Sequence, residues 1–174
     1  LARVFVPPEY LIRSRYEVVE RAKRRHRLCL FAHYEPSGEI EDYVHYHLRA
    51  LHDQGCDLAL VSTSQELTPT AVERVSALCR LVVTRRGSGR DFGSFRLGMS
   101  LLPDLHEYDQ LVLTNDSVYG PMCDLADVFS LLDGGEADIV GITDSRQDGD
   151  YHIQTYFTAF GHRFLHSDAF HRFW

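Results

Sequence analysis

The sequence has no long apolar run. Its longest runs, such as Leu28 to Ala32 and Leu58 to Val61, are far shorter than the ~20 residues that a membrane-spanning helix needs. The first residue is Leu, and the opening stretch lacks the charged-then-apolar pattern of a signal peptide. We therefore expect no membrane span and interpret the chain as a fragment of a longer protein, located in the cytoplasm or at the inner face of the cell membrane.

Closely spaced cysteines are also absent. The 4 cysteines are Cys29, Cys56, Cys79 and Cys123, with no C-x-x-C pair among them. Tetrahedral zinc sites usually take their ligands from such close pairs, so this spacing argues against zinc. Each cysteine falls in or beside an apolar segment, which predicts buried thiols in a reducing compartment.

The sequence also has fewer basic than acidic residues. The formal net charge is −7, and the one basic cluster, from Arg21 to Arg27, falls on a predicted helix over Tyr16 to Arg25. This balance argues against nucleic acid as a partner. The cluster is interpreted as a solvated helix face, with contact to an anionic membrane surface as the alternative. A hydrophobic fraction of 44% over 174 residues predicts one folded domain.

Neither common nucleotide-binding fingerprint is present. The Gly-rich loop from Arg85 to Asp91 has the spacing of neither the dinucleotide fingerprint nor the phosphate-loop lysine motif, which argues against dehydrogenases and P-loop NTPases. Its arginines, together with Gly87 and Gly89, suit an anionic ligand, because arginine binds phosphate through paired donors. An ordinary surface loop is the alternative.

The chain alternates short apolar runs with segments of helical periodicity. This pattern predicts an α/β fold with a mostly parallel sheet and helices on both faces. The predicted strands are 28–32, 58–61, 81–84, 110–114 and 139–143, with an edge or antiparallel strand over His152 to Phe160 and a short helix over Ser167 to Trp174. We divide the chain into an N-terminal helical extension, residues 1–26, and a ligand-binding domain, residues 27–174.

Polar residues follow each predicted strand, where open parallel sheets bind their ligands. The candidates at these strand ends are His33, Tyr34, Ser62, Arg85, Asp91, Asn115, Asp116, Ser117 and Asp144. Asp116 is a candidate ligand for a divalent cation shared with substrate phosphates, and capping of the next turn is the alternative. Asp144 and His152 are candidate general bases, with a turn cap and a surface histidine as the alternatives.

Six segments, in order, resemble the rhamnan synthesis protein F family of bacterial polysaccharide glycosyltransferases. They are LFAHYEPSGEIEDYVHYHLRAL from Leu30, DFGSFRLGM from Asp91, LVLTNDSVYGPM from Leu111, DIVGITDS from Asp138, HIQTYFTAF from His152 and the final FHRFW. The resemblance covers most of residues 28–174. Agreement at six ordered places is far more specific than any one motif.

The resemblance implies a Rossmann-like fold of the GT-A type and transfer of a sugar from a nucleoside diphosphate sugar to a growing surface polysaccharide. The family's name suggests deoxythymidine diphosphate rhamnose as donor, and a glycan or lipid-linked molecule is the implied acceptor. By this resemblance, Asn115 to Ser117 is the counterpart of the D-x-D motif that binds metal and diphosphate, with Mn²⁺ or Mg²⁺ at Asp116. Gln154, in the motif from His152, joins the candidate donor-binding residues.

Two classes of function therefore remain open. The first is a glycosyltransferase in which Asp144, or else His152, acts as the base. The second is a non-catalytic module that binds a nucleotide sugar or glycan within a larger synthase. Asn115, where the motif has Asp, keeps the second class open because it lowers the charge available to a cation.

Overall fold

The centre of the molecule is a seven-stranded sheet. The computed structural model describes residues 8–17, 26–146 and 149–174. Four neighbouring strands are parallel and almost wholly buried, which explains why each is a continuous apolar run. In sheet order they are β4 (Cys79–Arg85), β3 (Cys56–Ser62), β2 (Arg27–His33) and β5 (Gln110–Asn115). All four were predicted from the sequence, each within two residues at either end.

Helices cover both faces of this sheet, as predicted. One face packs against α2 (Asp42–Asp53), α3 (Pro69–Ser76) and α5 (Ala126–Asp133). The other packs against α4 (Arg90–Leu101), α6 (His162–Leu165) and α7 (Asp168–Phe173). A 3₁₀ turn at Leu105–Glu107 precedes β5. None of the helices in the described ranges is long and apolar enough to cross a membrane.

The last part of the sheet differs from the prediction. The stretch from His152 to Phe160 is not one strand, since β9 (Phe157–Phe160) is in the main sheet whereas β8 (His152–Ile153) pairs with β7 (Asp144–Ser145) in a separate ribbon. The predicted antiparallel direction of β9 is confirmed. It lies between β5 and β6 (Ile139–Gly141), so β6 is the edge strand and β9 is not.

The predicted N-terminal helix is wrong where the structure describes it. Tyr16 and Glu17 belong to β1 (Ile12–Glu17), which follows the short α1 (Pro8–Leu11) and pairs antiparallel with β4. The strand is mostly exposed and carries charged residues, as edge strands often do, so its sequence lacks an apolar signal. Residues 18–25 of that helix lie outside the described residues, and the domain boundary at residue 27 stays a prediction.

The cysteine prediction is confirmed at three positions and wrong at one. Cys29, Cys56 and Cys79 are buried in the strands. Cys123 is exposed because it lies in the loop that leads to α5 rather than in an apolar element.

One buried side chain in this framework lacks a polar partner. His47 on α2 is 4% exposed and packs edge-on against Phe31, with ring centroids 5.3 Å apart. Its Nδ1 atom has no hydrogen-bond partner among the described residues. Burial lowers the pKa of His47 from 6.5 to about 4, so the folded protein keeps this imidazole neutral.

We expect His47→Leu to reduce the acid sensitivity of the fold. The folded-state pKa lies below the unfolded one, so the stability linked to His47 is present above pH 6.5 and is lost as the pH falls toward about 4. The full loss for one such group is about 3 kcal/mol. Urea unfolding at several pH values measures it, with exposed His171→Leu as the matched control. If the free energy of unfolding of His47→Leu depended on pH as steeply as that of the unmodified protein, the role assigned to His47 would be wrong.

Candidate functional site

The four parallel strands end in buried polar side chains at one edge of the sheet. His33, Ser62, Arg85 and Asn115 are the last residues of β2 to β5, and they are 3%, 0%, 2% and 4% exposed. Buried polar groups of this kind need hydrogen-bond partners. The partners come from the loops that follow the strands, so these residues determine the local shape of the edge.

His33 and Ser62 form a network that joins the loops after β2 and β3. His33 Nδ1 lies 2.9 Å from Ser62 Oγ, which donates to Ser64 Oγ at 2.9 Å. The Ser64 hydroxyl accepts from the backbone N–H of Glu35 at 3.0 Å. Burial lowers the pKa of His33 to about 4, so it is neutral at pH 7. Both side chains face protein groups, and their direct contact with a donor stays a prediction.

Arg85 holds the loop between β4 and α4. Its Nε donates to Ser94 Oγ at 2.9 Å, and its two Nη atoms donate to the carbonyls of Arg86, Ser88 and Arg90 at 3.1, 3.1 and 2.6 Å. The guanidinium donors are thus directed at the protein. The expected binding of a phosphate by Arg85 stays a prediction. The exposed arginines of the loop, Arg86 and Arg90, are better placed to meet an anion.

Glycines allow this loop to close around Arg85. A Cβ on Gly93 would lie 2.8 Å from both Arg85 Nη2 and Ser88 O, too close for any other residue. Gly89 has φ +95°, and Arg90 after it has φ +42°, which is uncommon for a residue with a side chain. The hydrogen bond from Arg85 to the Arg90 carbonyl stabilises this strained position at the start of α4.

Asp91 and Asn115 contact each other across the edge. The amide Nδ2 of Asn115 donates to Asp91 Oδ2 at 2.7 Å, and its Oδ1 accepts from the backbone N–H of Ser117 at 3.1 Å. One side chain therefore joins the first turn of α4 to the loop after β5. The two candidates predicted from different motifs, 24 residues apart, are brought together.

Asp116 lies next to this pair in an acidic environment. Its Oδ2 accepts from the backbone N–H of Tyr34 at 2.7 Å. Burial raises the pKa of Asp116, and the carboxylates of Asp91 and Glu35 raise it further, whereas the hydrogen bond from Tyr34 acts in the opposite direction. A concentration of negative charge on oxygen ligands is what Mg²⁺ or Mn²⁺ neutralises.

The residues present fit a cation that is shared with its substrate. Among the described residues, no group of three or more His, Cys, Asp or Glu side chains is arranged to hold a metal ion. Mg²⁺ typically takes one or two carboxylates and completes its shell with substrate phosphates and water. Asp116 can supply such a carboxylate, so the expected cation stays a prediction that depends on a bound diphosphate.

Sequence reasoning missed two tyrosines around Asp116. Tyr43 on α2 donates its hydroxyl to the Asp116 carbonyl at 3.2 Å, and its ring lies 4.5 Å from that of Tyr119, which is 77% exposed. Tyr43 matched the apolar spacing of α2, which hid its polar role. Tyr34, a predicted candidate, is also exposed at 59%. Aromatic rings therefore border the acidic edge.

The candidate bases lie on the small ribbon formed by β7 and β8. Asp144 and His152 are exposed, on β7 and β8, and within the described ranges no hydrogen bond or ion pair joins either of them to Asp116 or Asp91. His152 Nδ1 contacts the carbonyl of Asp150 at 3.1 Å. Their catalytic roles stay predictions that need a substrate between the ribbon and the sheet edge.

Gln154 lies where the ribbon meets the sheet. Its Oε1 accepts from the Thr143 hydroxyl at 2.7 Å, and its backbone N–H donates to the Thr143 carbonyl at 3.0 Å. Two residues further on, the carbonyl of Tyr156 accepts from the backbone N–H of Asn115 at 3.3 Å. The ribbon is thus tied to the end of β5, and donor binding by the exposed Gln154 stays a prediction.

Comparisons with known proteins show the family to which the chain belongs. The family described as Rhamnan synthesis protein F matches residues 58–174. The uncharacterised protein y4gN of Sinorhizobium fredii is 30% identical over 146 residues, which are 81% of this chain and 37% of that protein. The chain therefore spans well under half the length of this curated relative. No solved structure matches.

Arg85→Met should loosen the loop before α4. Methionine keeps an apolar stem but leaves three loop carbonyls and the buried Ser94 hydroxyl without their donor, which we expect to lower the free energy of unfolding by about 2 to 4 kcal/mol. Faster amide exchange in residues 86–91 would locate the change. Exposed Arg96→Met on α4 is the matched control, and equal stability of the two variants would refute the role assigned to Arg85.

Asn115→Asp should destabilise the protein more than Asn115→Ala. Alanine removes the hydrogen bond to Asp91, whereas aspartate places a second carboxylate 2.7 Å from it and should lose a further 1 to 3 kcal/mol, roughly, at pH 7. The excess should shrink as the pH falls, because one carboxyl of the pair then protonates. Thermal unfolding of both variants between pH 4.5 and pH 7 tests this order, which a pH-independent difference would contradict.

Proposed function

Because the chain belongs to the rhamnan synthesis protein F family, which takes part in polysaccharide synthesis, we propose that it binds a nucleoside diphosphate sugar and transfers the sugar to a growing bacterial surface polysaccharide. The observation that carries the proposal is Asp116, a partly buried carboxylate at the carboxyl end of β5 that lies among Asp91, Glu35 and two tyrosines. Ligands of open parallel sheets bind at this edge.

The donor's position is proposed from the chemistry of the edge. A diphosphate between Asp116 and the loop after β4 would meet the exposed Arg86 and Arg90, which carry the charge that phosphate requires. Tyr34, Asn115 and Ser117 would contact the rest of the donor. The GT-A type of the fold and deoxythymidine diphosphate rhamnose as donor belong to this proposal, the latter from the family's name.

Asp116 would hold the divalent cation, Mn²⁺ or Mg²⁺, together with diphosphate oxygens and water. When bound, such a cation neutralises the charge that develops on a leaving diphosphate. Asn115 contributes no charge to this site, because its side chain is a neutral amide, and that amide donates to Asp91. The proposed role of Asp116 therefore rests on its own carboxylate, with Asp91 as a neighbour.

The proposed reaction is a displacement at the anomeric carbon of the donor. An acceptor hydroxyl forms a bond to that carbon, the bond from the carbon to the diphosphate oxygen breaks, and the diphosphate leaves with the electron pair. A base takes the proton of the acceptor hydroxyl, and Asp144 is the first candidate, with His152 as the second. Both lie on the exposed ribbon, from which a side chain can meet an acceptor that arrives from solvent.

The acceptor is proposed to be a glycan or a lipid-linked glycan, met at the inner face of the cell membrane through the rest of the protein. The alternative function is a non-catalytic module that binds a nucleotide sugar within a larger synthase. Among the described residues, no hydrogen bond or ion pair joins Asp116 to either candidate base, and this observation favours the alternative. Sugar transfer by the full-length protein would distinguish a glycosyltransferase from a non-catalytic binding module.

Asp116→Asn should weaken cation-dependent donor binding without unfolding the domain. The amide keeps an oxygen that accepts from the backbone N–H of Tyr34 but loses the negative charge. We expect calorimetric titration with nucleoside diphosphates and Mn²⁺ to show at least about tenfold weaker binding, the effect of losing one strong charged contact. Exposed Asp53→Asn, at the far end of α2, is the control, and unchanged binding in Asp116→Asn would remove Asp116 from the site.

Asp144→Asn should slow transfer with little effect on donor binding. Loss of a general base typically lowers kcat by about 10² to 10⁴, whereas KM for the donor depends on other groups. His152→Gln, assayed in parallel in the full-length protein, assigns the role to the second candidate if it alone is slow. Normal kcat in both variants would show that neither side chain is the base.

A further inference from the structure

An apolar cavity of about 260 Å³ lies on the α4 face of the sheet, outside the site described above. Of its twelve lining residues, seven are aromatic, three are aliphatic and two are threonines that present no polar surface to the cavity. None of the twelve is charged. The walls come from α4, β5, β8, β9 and the two C-terminal helices, so the cavity is built from elements distant in sequence.

This lining limits the ligand to hydrocarbon. A hydroxyl or phosphate placed in the cavity would give up its hydrogen bonds to water and find none in return. An extended peptide segment in the cavity would bring unpaired backbone N–H and C=O groups, which face the same penalty. An alkyl or isoprenoid chain needs no hydrogen bonds and gains from leaving water.

The cavity adjoins the acidic edge of the sheet. Leu113 lines the cavity, and Asn115 lies two residues further along β5 on the same face, about 7 Å away. Asn115 is hydrogen-bonded to Asp91, whose neighbour Phe92 also lines the cavity. A chain in the cavity would thus place an attached polar group at Asp91 and Asp116.

Exposed rings form the rim of the cavity. Phe173 is 69% exposed and Phe92 is 44% exposed, and the ring of Phe92 stacks on Trp174 with centroids 5.6 Å apart and planes 20° apart. Apolar surface of this kind, beside a cavity, is a common mark of a binding site. A bound chain would cover these rings, which water otherwise contacts.

We propose that this cavity binds the hydrocarbon chain of an amphiphilic acceptor, whose polar head lies at Asp91 and Asp116. The role of this ligand as an acceptor rests on the function proposed above, whereas its hydrocarbon character rests on the lining of the cavity alone. The head that fits these carboxylates is a sugar, whose hydroxyls can donate to them, because Asp91 and Asp116 would repel a phosphate. The probes below compare the two heads.

Trp174 makes the test direct, because it is the single tryptophan among these 174 residues and lines the cavity. The probes are decyl phosphate and decyl glucoside below their micelle concentrations, with inorganic phosphate and glucose as head-only controls. We expect a saturable change in Trp174 emission with both decyl compounds and none with the heads alone. Tighter binding of one decyl compound identifies the preferred head. A response to inorganic phosphate equal to that of decyl phosphate would overturn the proposal.

Thr155→Phe should block the cavity, since Thr155 is an exposed residue of the lining. The variant should weaken decyl binding by about tenfold or more, as expected when a few methylenes are excluded. Thr70→Phe, exposed on α3 across the sheet, is the matched control. Phe173→Ser changes only the exposed rim of the cavity and should also weaken decyl binding. It replaces Thr155→Phe as the test if that variant does not fold.

The failures of the two proposals are distinguishable. Nucleoside diphosphate binding is measured separately by calorimetry, so intact donor binding without any saturable decyl response overturns the cavity proposal alone. Decyl binding that Thr155→Phe and Phe173→Ser leave unchanged also overturns it. Concentration-dependent self-association, with no decyl response, would show that a second copy covers the rim instead. Decyl binding without donor binding would keep the cavity proposal and overturn the function proposed for the edge.

Discussion

Buried polar groups at the ends of the parallel strands constrain the whole edge of the sheet. An imidazole, a hydroxyl, a guanidinium and an amide are all removed from water there, and each needs partners to offset its desolvation. The partners are mainly loop groups: the carbonyls around Arg85, the hydroxyl of Ser64 and the carboxylate of Asp91. The loops therefore have little freedom to adopt another shape, and the edge is organised before any ligand arrives.

The central strands and their helices were predictable because their signals are local. A strand buried on both faces is a continuous apolar run. Thr68 followed by Pro69 is a typical helix start, and in α3 the Thr68 hydroxyl accepts from the backbone N–H of Ala71 at 3.1 Å. Two features depend on distant pairing and were not predictable. β1 joins an edge through backbone hydrogen bonds that its charged sequence does not signal, and β9 is placed between β5 and β6 by partners elsewhere in the chain.

The candidate site was predictable in position but less so in the role of each residue. Because parallel strands end at one edge, His33, Ser62, Arg85 and Asn115 were expected to lie near one another, and they do. The hydrogen-bond partners of these four residues depend on which loop groups face them in the folded chain. The sequence does not show this. Arg85 illustrates the difference, since an arginine in a Gly-rich loop suggests a phosphate ligand, yet its donors are directed at the loop's own carbonyls.

Charge is the remaining constraint on what the edge can bind. Asp91 and Glu35 lie close enough to Asp116 to raise its pKa. An anionic diphosphate would therefore meet repulsion from three carboxylates. Asn115 lessens this repulsion, because its amide donates to Asp91 where an aspartate would add a fourth charge. The exposed Arg86 and Arg90 reduce it further, but they lie on one side only. A divalent cation between Asp116 and the diphosphate would supply attraction on the other side, which is why donor binding and cation binding should depend on each other.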